Sequence, residues 1–96
     1  MLLKSNNDRW ALSGELSFVS LTRANVKSAF AKRPARGEWT IDVSSVEKCD
    51  SAGLAFLVRC VREAKAGALT LSFSGLSASL LQLAGAQGVD HLLQGQ

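Results

Sequence analysis

The sequence predicts an α/β fold in which a mixed sheet of about four strands carries helices packed against it. Three observations point there. Apolar residues alternate in short segments such as "WTIDV" (Trp39–Val43) and "LTLSFSG" (Leu69–Gly75), the two-residue period of a strand with one buried face. Between such segments lie stretches of about a dozen residues whose apolar positions recur at helical intervals. Strands joined through helices of that length need crossovers, the connection that parallel neighbours require.

The elements follow in order. "MLLKS" (Met1–Ser5) is a short strand, and "NND" (Asn6–Asp8) is a turn signal that folds it back into "RWALSGEL" (Arg9–Leu16). Trp10, Leu12 and Leu16 share one face of that second strand. From about Ser20 to Arg33 the spacing becomes helical, with Val19, Val26, Ala29 and Phe30 on one side and Arg23 and Lys27 opposite. Pro34 and Gly37 stop this helix. Trp39–Val43 is the next strand, and a polar turn through "SSVEKC" (Ser44–Cys49) leads into a helix over Ser51–Lys65, stopped by Gly67. Leu69–Gly75 is the last strand. Ser77–Gly88 is a third helix, with Ser77 as its N-cap. The order is β-β-α-β-α-β-α, and the opening hairpin supplies an antiparallel edge. No repeat, low-complexity tract or linker interrupts residues 1–96, so one domain is expected.

Composition narrows the function. With 47% hydrophobic and 20% charged residues the chain is globular rather than disordered. Area scaling for this size buries about 64% of the chain's surface, enough for one core and little for a deep, walled active site. The net charge of +3 is mild, and no interleaving of basic and aromatic residues marks a nucleic-acid platform. The densest basic segment, "KSAFAKRPAR" (Lys27–Arg36), reads either as a solvated helix end favoured by the macrodipole or as a contact for an acidic partner or anionic surface. Cys49 and Cys60 are eleven apart with no C-x-x-C, which suggests neither a zinc site nor a redox pair. Cys49, beside the turn, is a candidate for a reactive thiol. No apolar run reaches the ~18 residues of a membrane span, and the N-terminus lacks a signal-peptide h-region. A cytoplasmic location is therefore expected, without direct membrane insertion.

Catalytic motifs are missing: there is no G-x-G-x-x-G after a strand, no G-x-x-x-x-G-K-[ST], no G-x-S-x-G and no H-E-x-x-H. His91 is the single histidine and has no nucleophile placed by sequence beside it. Asp42 and Asp50 flank one turn, but two carboxylates without further ligands are a weak metal signal. The expectation is a protein with no enzymatic activity, no cofactor and no metal.

Chemistry then concentrates at the start of the second long helix, Asp50, Ser51, Ala52 and Gly53. Projected at 100° per residue, Leu54, Leu57, Val58, Val61 and Ala64 form a core stripe, with Phe56 roughly opposite it beside Ala52, Arg59 and Glu63. An outward aromatic near small residues is the kind of anchor an interface uses. A lone exposed apolar residue is also ordinary, and the C-terminal segment is an alternative cover for it. Ser51 likewise has two readings, a helix cap or a polar contact for a partner.

The combination "ALSGEL" (Ala11–Leu16), "IDVSSV" (Ile41–Val46) and "DSAGLAFL" (Asp50–Leu57) resembles the STAS domain, the fold of bacterial anti-sigma-factor antagonists. The resemblance runs over nearly the whole chain, in order and with the right spacings. Within that family the chain is most similar to the small free-standing STAS subunits of Mla-type phospholipid-transport ABC complexes. The resemblance implies a non-catalytic protein that binds the ATPase subunit, supports the transporter's assembly and activity in maintaining outer-membrane lipid asymmetry, and sits peripherally at the inner membrane through that complex. It implies docking through Asp50, Ser51, Ala52, Gly53, Phe56 and Arg59. The alternative it implies is an anti-sigma antagonist that captures a kinase, with Ser51 as the phosphoacceptor. Antagonists typically read "GELD" after the second strand, whereas Ser17 stands at the last position here, which weakens the switch and leaves docking untouched.

Overall fold

The computed structural model describes residues 1–94. Strands β1 (Leu2–Asn6), β2 (Arg9–Leu16), β3 (Gly37–Cys49) and β4 (Leu69–Ser74) alternate with helices α1 (Arg23–Ala31), α2 (Ser51–Ala66), α3 (Ala78–Ala86) and α4 (Asp90–Gln94). One four-stranded sheet has the order β1-β2-β3-β4. β1 pairs antiparallel with β2 through a tight turn in which Asn7 takes a left-handed φ of 57°, a conformation asparagine tolerates. β2, β3 and β4 are parallel, with Trp10 beside Ile41 and Ile41 beside Phe73. The chain is an α/β sandwich with a mixed sheet.

Right-handed crossovers taken in one direction along a sheet put their helices on the same face. Accordingly α1 and α2 meet: the Phe30 and Phe56 rings lie 5.4 Å apart. That face of the sheet buries Trp10, Leu12, Trp39, Ile41, Val43, Leu69 and Leu71. Trp10 stacks edge-on against Trp39 at 4.8 Å and reaches Phe30 at 6.2 Å. Its Nε1–H donates to the Lys32 carbonyl at the end of α1, whereas the buried Trp39 Nε1–H has no partner among the described residues. The opposite face presents Ala11, Ser13, Thr40, Asp42 and Ser72, all half-buried. An Arg9–Asp42 ion pair at 3.8 Å lies on it.

The sequence reading needs three corrections at this level. β3 does not end at Val43 but runs to Cys49, so "SSVEKC" is strand and not turn. Its second half pairs with the end of β2 (Ser13 with Ser45, Leu16 with Cys49) across two register shifts. Its alternating burial stops after Val43, so the hydrophobic signal ends while the backbone ladder continues. α1 begins at Arg23, because Thr22 is its N-cap and accepts from the Asn25 amide at 3.1 Å. Val19 therefore lies outside the helix and is 79% exposed. A fourth helix, α4, follows α3 where none was expected; it seats Leu93 in the core and carries the exposed His91. The Ser77 cap is as expected, accepting from the Leu80 amide at 3.1 Å.

Candidate docking site

The end of β2 and the start of α2 are tied together by one carboxylate. Asp50 is the N-cap of α2: its Oδ1 accepts from the Gly53 amide at 2.9 Å, while its Oδ2 accepts from the Phe18 amide at 3.0 Å. Capping thus falls to Asp50 and not to Ser51. Ser51 is the first residue of the helix and is exposed, which leaves its hydroxyl free of that task. The Asp50 carboxyl is held below the ordinary carboxylate range by the Phe18 amide and then by the Gly53 amide. A depressed folded-state pKa contributes stability that is present above the unfolded value, near 3.9, and is lost as pH falls through the folded value. Asp50→Asn retains a capping oxygen but no charge. Its deficit in melting temperature relative to the wild type is expected to be largest near neutrality and to shrink below about pH 4, as read from melts across an acid series.

The turn that Asp50 grips is itself locked. The Ser17 amide donates to Ser20 Oγ at 3.0 Å, the Ser20 amide donates to Ser17 Oγ at 3.3 Å, and Ser20 Oγ–H donates to the Glu15 carbonyl at 2.6 Å. Ser17 is buried, yet the two residues at the apex, Phe18 and Val19, are 80% and 79% exposed. Two large apolar side chains are held out to solvent by a turn whose polar groups are satisfied. The surface continues along the outward side of α2, where Ser51, Ala55, Val58, Arg62 and Val89 line a shallow cleft of about 240 Å³.

The expected site residues divide. Asp50 and Ser51 are at the centre of this surface, and Ala52 is half-buried beside it. Gly53 is buried, and its smallness serves the fold: a Cβ there would collide with the Leu16 carbonyl and lie 2.9 Å from Cys49 Sγ. Phe56 is a correction. It is 4% exposed and packs on Phe30 under α1, because α2 is bounded by α1 as well as by the sheet. Its buried arc (Gly53, Leu54, Phe56, Leu57, Cys60, Val61, Ala64) is wider than a single stripe. Val58, expected in the core, is only half-buried and lines the cleft. Arg59 is exposed, but it lies over the Phe30 ring at 4.6 Å on the α1 side of the helix. Phe18 and Val19 are what the sequence reading missed. The signal available was Thr22, an N-cap residue type, which starts the helix late enough to leave both in a loop.

No reactive thiol emerges. Burial, followed by the neighbouring Asp50 charge, pushes the Cys49 thiol up to about 11, and burial raises Cys60 as well. Asp42 and Asp50 do not converge, since seven residues of extended chain, all in β3, separate them. Each carboxylate is engaged locally, Asp42 by the Ser44 amide at 2.9 Å. Among the described residues no group of acids, histidines and cysteines gathers as metal ligands would, and no helix is long and apolar enough to cross a membrane.

A family model described as "Mlab, STAS domain" matches residues 3–94. The chain belongs to that STAS family. No curated protein matches it. Membership supports a STAS-type protein-interaction role, for which a rigid turn with two exposed apolar side chains beside a helix start is suitable equipment.

Proposed function

We propose that this STAS domain is a non-catalytic subunit that docks on the ATPase (MlaF-like) of an Mla-type phospholipid-transporting ABC complex. In that role it supports the complex's assembly and activity in maintaining outer-membrane lipid asymmetry, from the cytoplasmic side of the inner membrane. The observation that carries the reading is the surface made by Phe18, Val19 and Ser51. Its apolar anchors are pre-organised by the Ser17–Ser20 turn and by Asp50, so little ordering entropy opposes association. The MlaB-like family match supports the choice of partner class.

The antagonist reading draws on one observation of its own. Ser51 is exposed at the first position of α2, where a kinase could reach it and where the helix dipole favours a phosphate. Ser17, buried and bonded within the turn in place of the antagonists' acid, argues the other way.

Titration of the purified protein with the cognate ABC ATPase, and separately with an anti-sigma kinase, decides between them. Phe18→Ala is expected to cost 2 kcal/mol or more of binding, about thirtyfold in affinity. Ser51→Glu is expected to abolish binding by leaving an unpaired charge in a desolvated contact. Both variants are expected to melt with the wild type, since both side chains are exposed and glutamate suits a first helical turn. Full ATPase binding by Ser51→Glu would refute the reading.

A further inference from the structure

A second surface lies between α1 and α2 and shares no lining residue with the Ser51 cleft. α1 and α2 enclose a cleft of about 640 Å³ lined by Arg23, Val26, Lys27, Phe30, Arg33 and Arg59. Its floor is apolar, with Val26 half-buried and Phe30 buried. Its walls carry four cations. Arg33 and Arg59 flank a single carboxylate, Glu63, at 3.8 and 3.6 Å. Arg23 and Lys27 have no ion pair among the described residues.

Arg59 serves the fold by lying over the Phe30 ring and pairing with Glu63, but α1 gains nothing from Arg23 and Lys27. Arg23 opens α1, the end at which the helix macrodipole disfavours a cation. Lys27 follows four residues later, a like-charge spacing that destabilises a helix by a few tenths of a kcal/mol. α1 contains no acidic residue to offset either. The macrodipole explanation for the basic segment therefore does not reach Lys27, and Arg23 lies outside that segment. Uncompensated cations around a recessed apolar floor call for an occupant that brings negative charge on either side of an apolar group.

We propose that the α1–α2 cleft docks an acidic segment of a partner protein. One apolar side chain of that segment rests on the half-buried Val26 beside the Phe30 ring that Arg59 covers, and flanking carboxylates pair with Arg23 and Lys27. The recess favours a peptide over a bilayer: a flat anionic membrane would meet the rim cations but leave the floor unfilled. The site is distinct from the Ser51 surface, and either can fail without the other.

The test is fluorescence anisotropy with a labelled ten-residue peptide of aspartate and glutamate around one central leucine, beside flotation with phosphatidylglycerol vesicles. Saturable peptide binding is expected, weakened about tenfold or more by Lys27→Glu and by Arg23→Glu, and also by leucine-to-serine exchange in the peptide. It is expected to be unchanged by Ser51→Glu and by Lys48→Glu, a charge reversal outside the cleft lining. Thermal melts of each variant confirm folding. Absence of binding, equal loss with Lys48→Glu, or vesicle binding that Lys27→Glu removes while the peptide stays free would each overturn the proposal.

Discussion

Phe56→Ala is expected to destabilise the domain by about 3–5 kcal/mol, the range for truncating a buried phenylalanine to alanine. Phe56 joins α2 to a run of aromatic contacts that continues through Phe30 to Trp10 and Trp39, so its loss opens a cavity between two helices and the sheet. Native domains retain only about 5–15 kcal/mol in total. At this chain length the change corresponds to a fall in melting temperature of about 12 °C or more. Guanidinium or thermal unfolding reads it directly. A change below about 1 kcal/mol, together with weakened partner binding, would return Phe56 to the surface role its spacing suggested.

Gly53→Ala is expected to destabilise as well, and here the sign itself is informative. In an open helix position alanine is better than glycine by about 1 kcal/mol. At Gly53 the added Cβ meets the Leu16 carbonyl, 2.8 Å from its carbon, and Cys49 Sγ at 2.9 Å. A backbone carbonyl cannot rotate aside, so the first turn of α2 must lift from the end of β2. Overpacking of this kind typically costs about 1–3 kcal/mol, occasionally more. The shift would also misalign Asp50 with the Phe18 amide, so partner affinity is expected to fall with stability. Gly85→Ala in α3 is the control, because nothing lies within 4 Å of a Cβ there. It is expected to be neutral or stabilising by up to about 1 kcal/mol. Stabilisation by both substitutions would remove the steric explanation for Gly53.

The parallel strands and the long helix after β3 were legible because burial writes its period into the sequence, whereas the largely exposed opening edge was legible from the turn signal at Asn6–Asp8. Where burial is absent or two-sided, the period misleads. The second half of β3 buries little after Val43, so its strand character rests on backbone pairing with Gly14–Leu16, which side-chain identity does not report. α2 has the opposite problem. Contact with α1 adds a second buried flank, and a one-stripe projection turns Phe56 outward. A different tertiary contact, with the ends of β2 and β3, explains why the small residue at Gly53 looked like room for a partner when it is room for the Leu16 carbonyl. Asp50 and Ser51 were placed at the site by the motif; of the two readings open for Ser51, capping falls to Asp50, and the serine is exposed. Phe18 and Val19 were hidden because Val19 happens to fit the helical spacing of α1, although Thr22 starts that helix three residues later.

Amide hydrogen exchange of the domain, free and bound to the cognate ABC ATPase, tests the docking surface most directly. In the free protein the Phe18 amide is held by Asp50, while the Ser51 and Ala52 amides lie in the first helical turn, where no intrahelical acceptor exists. On binding, exchange is expected to slow at Val19, Ser51 and Ala52 and along the outward residues to Ala55, with the open sheet face at Thr40 and Ser72 unchanged. Protection confined to that sheet face, with Val19 and Ser51 exchanging as in the free protein, would contradict the assignment of the Phe18–Ser51 surface.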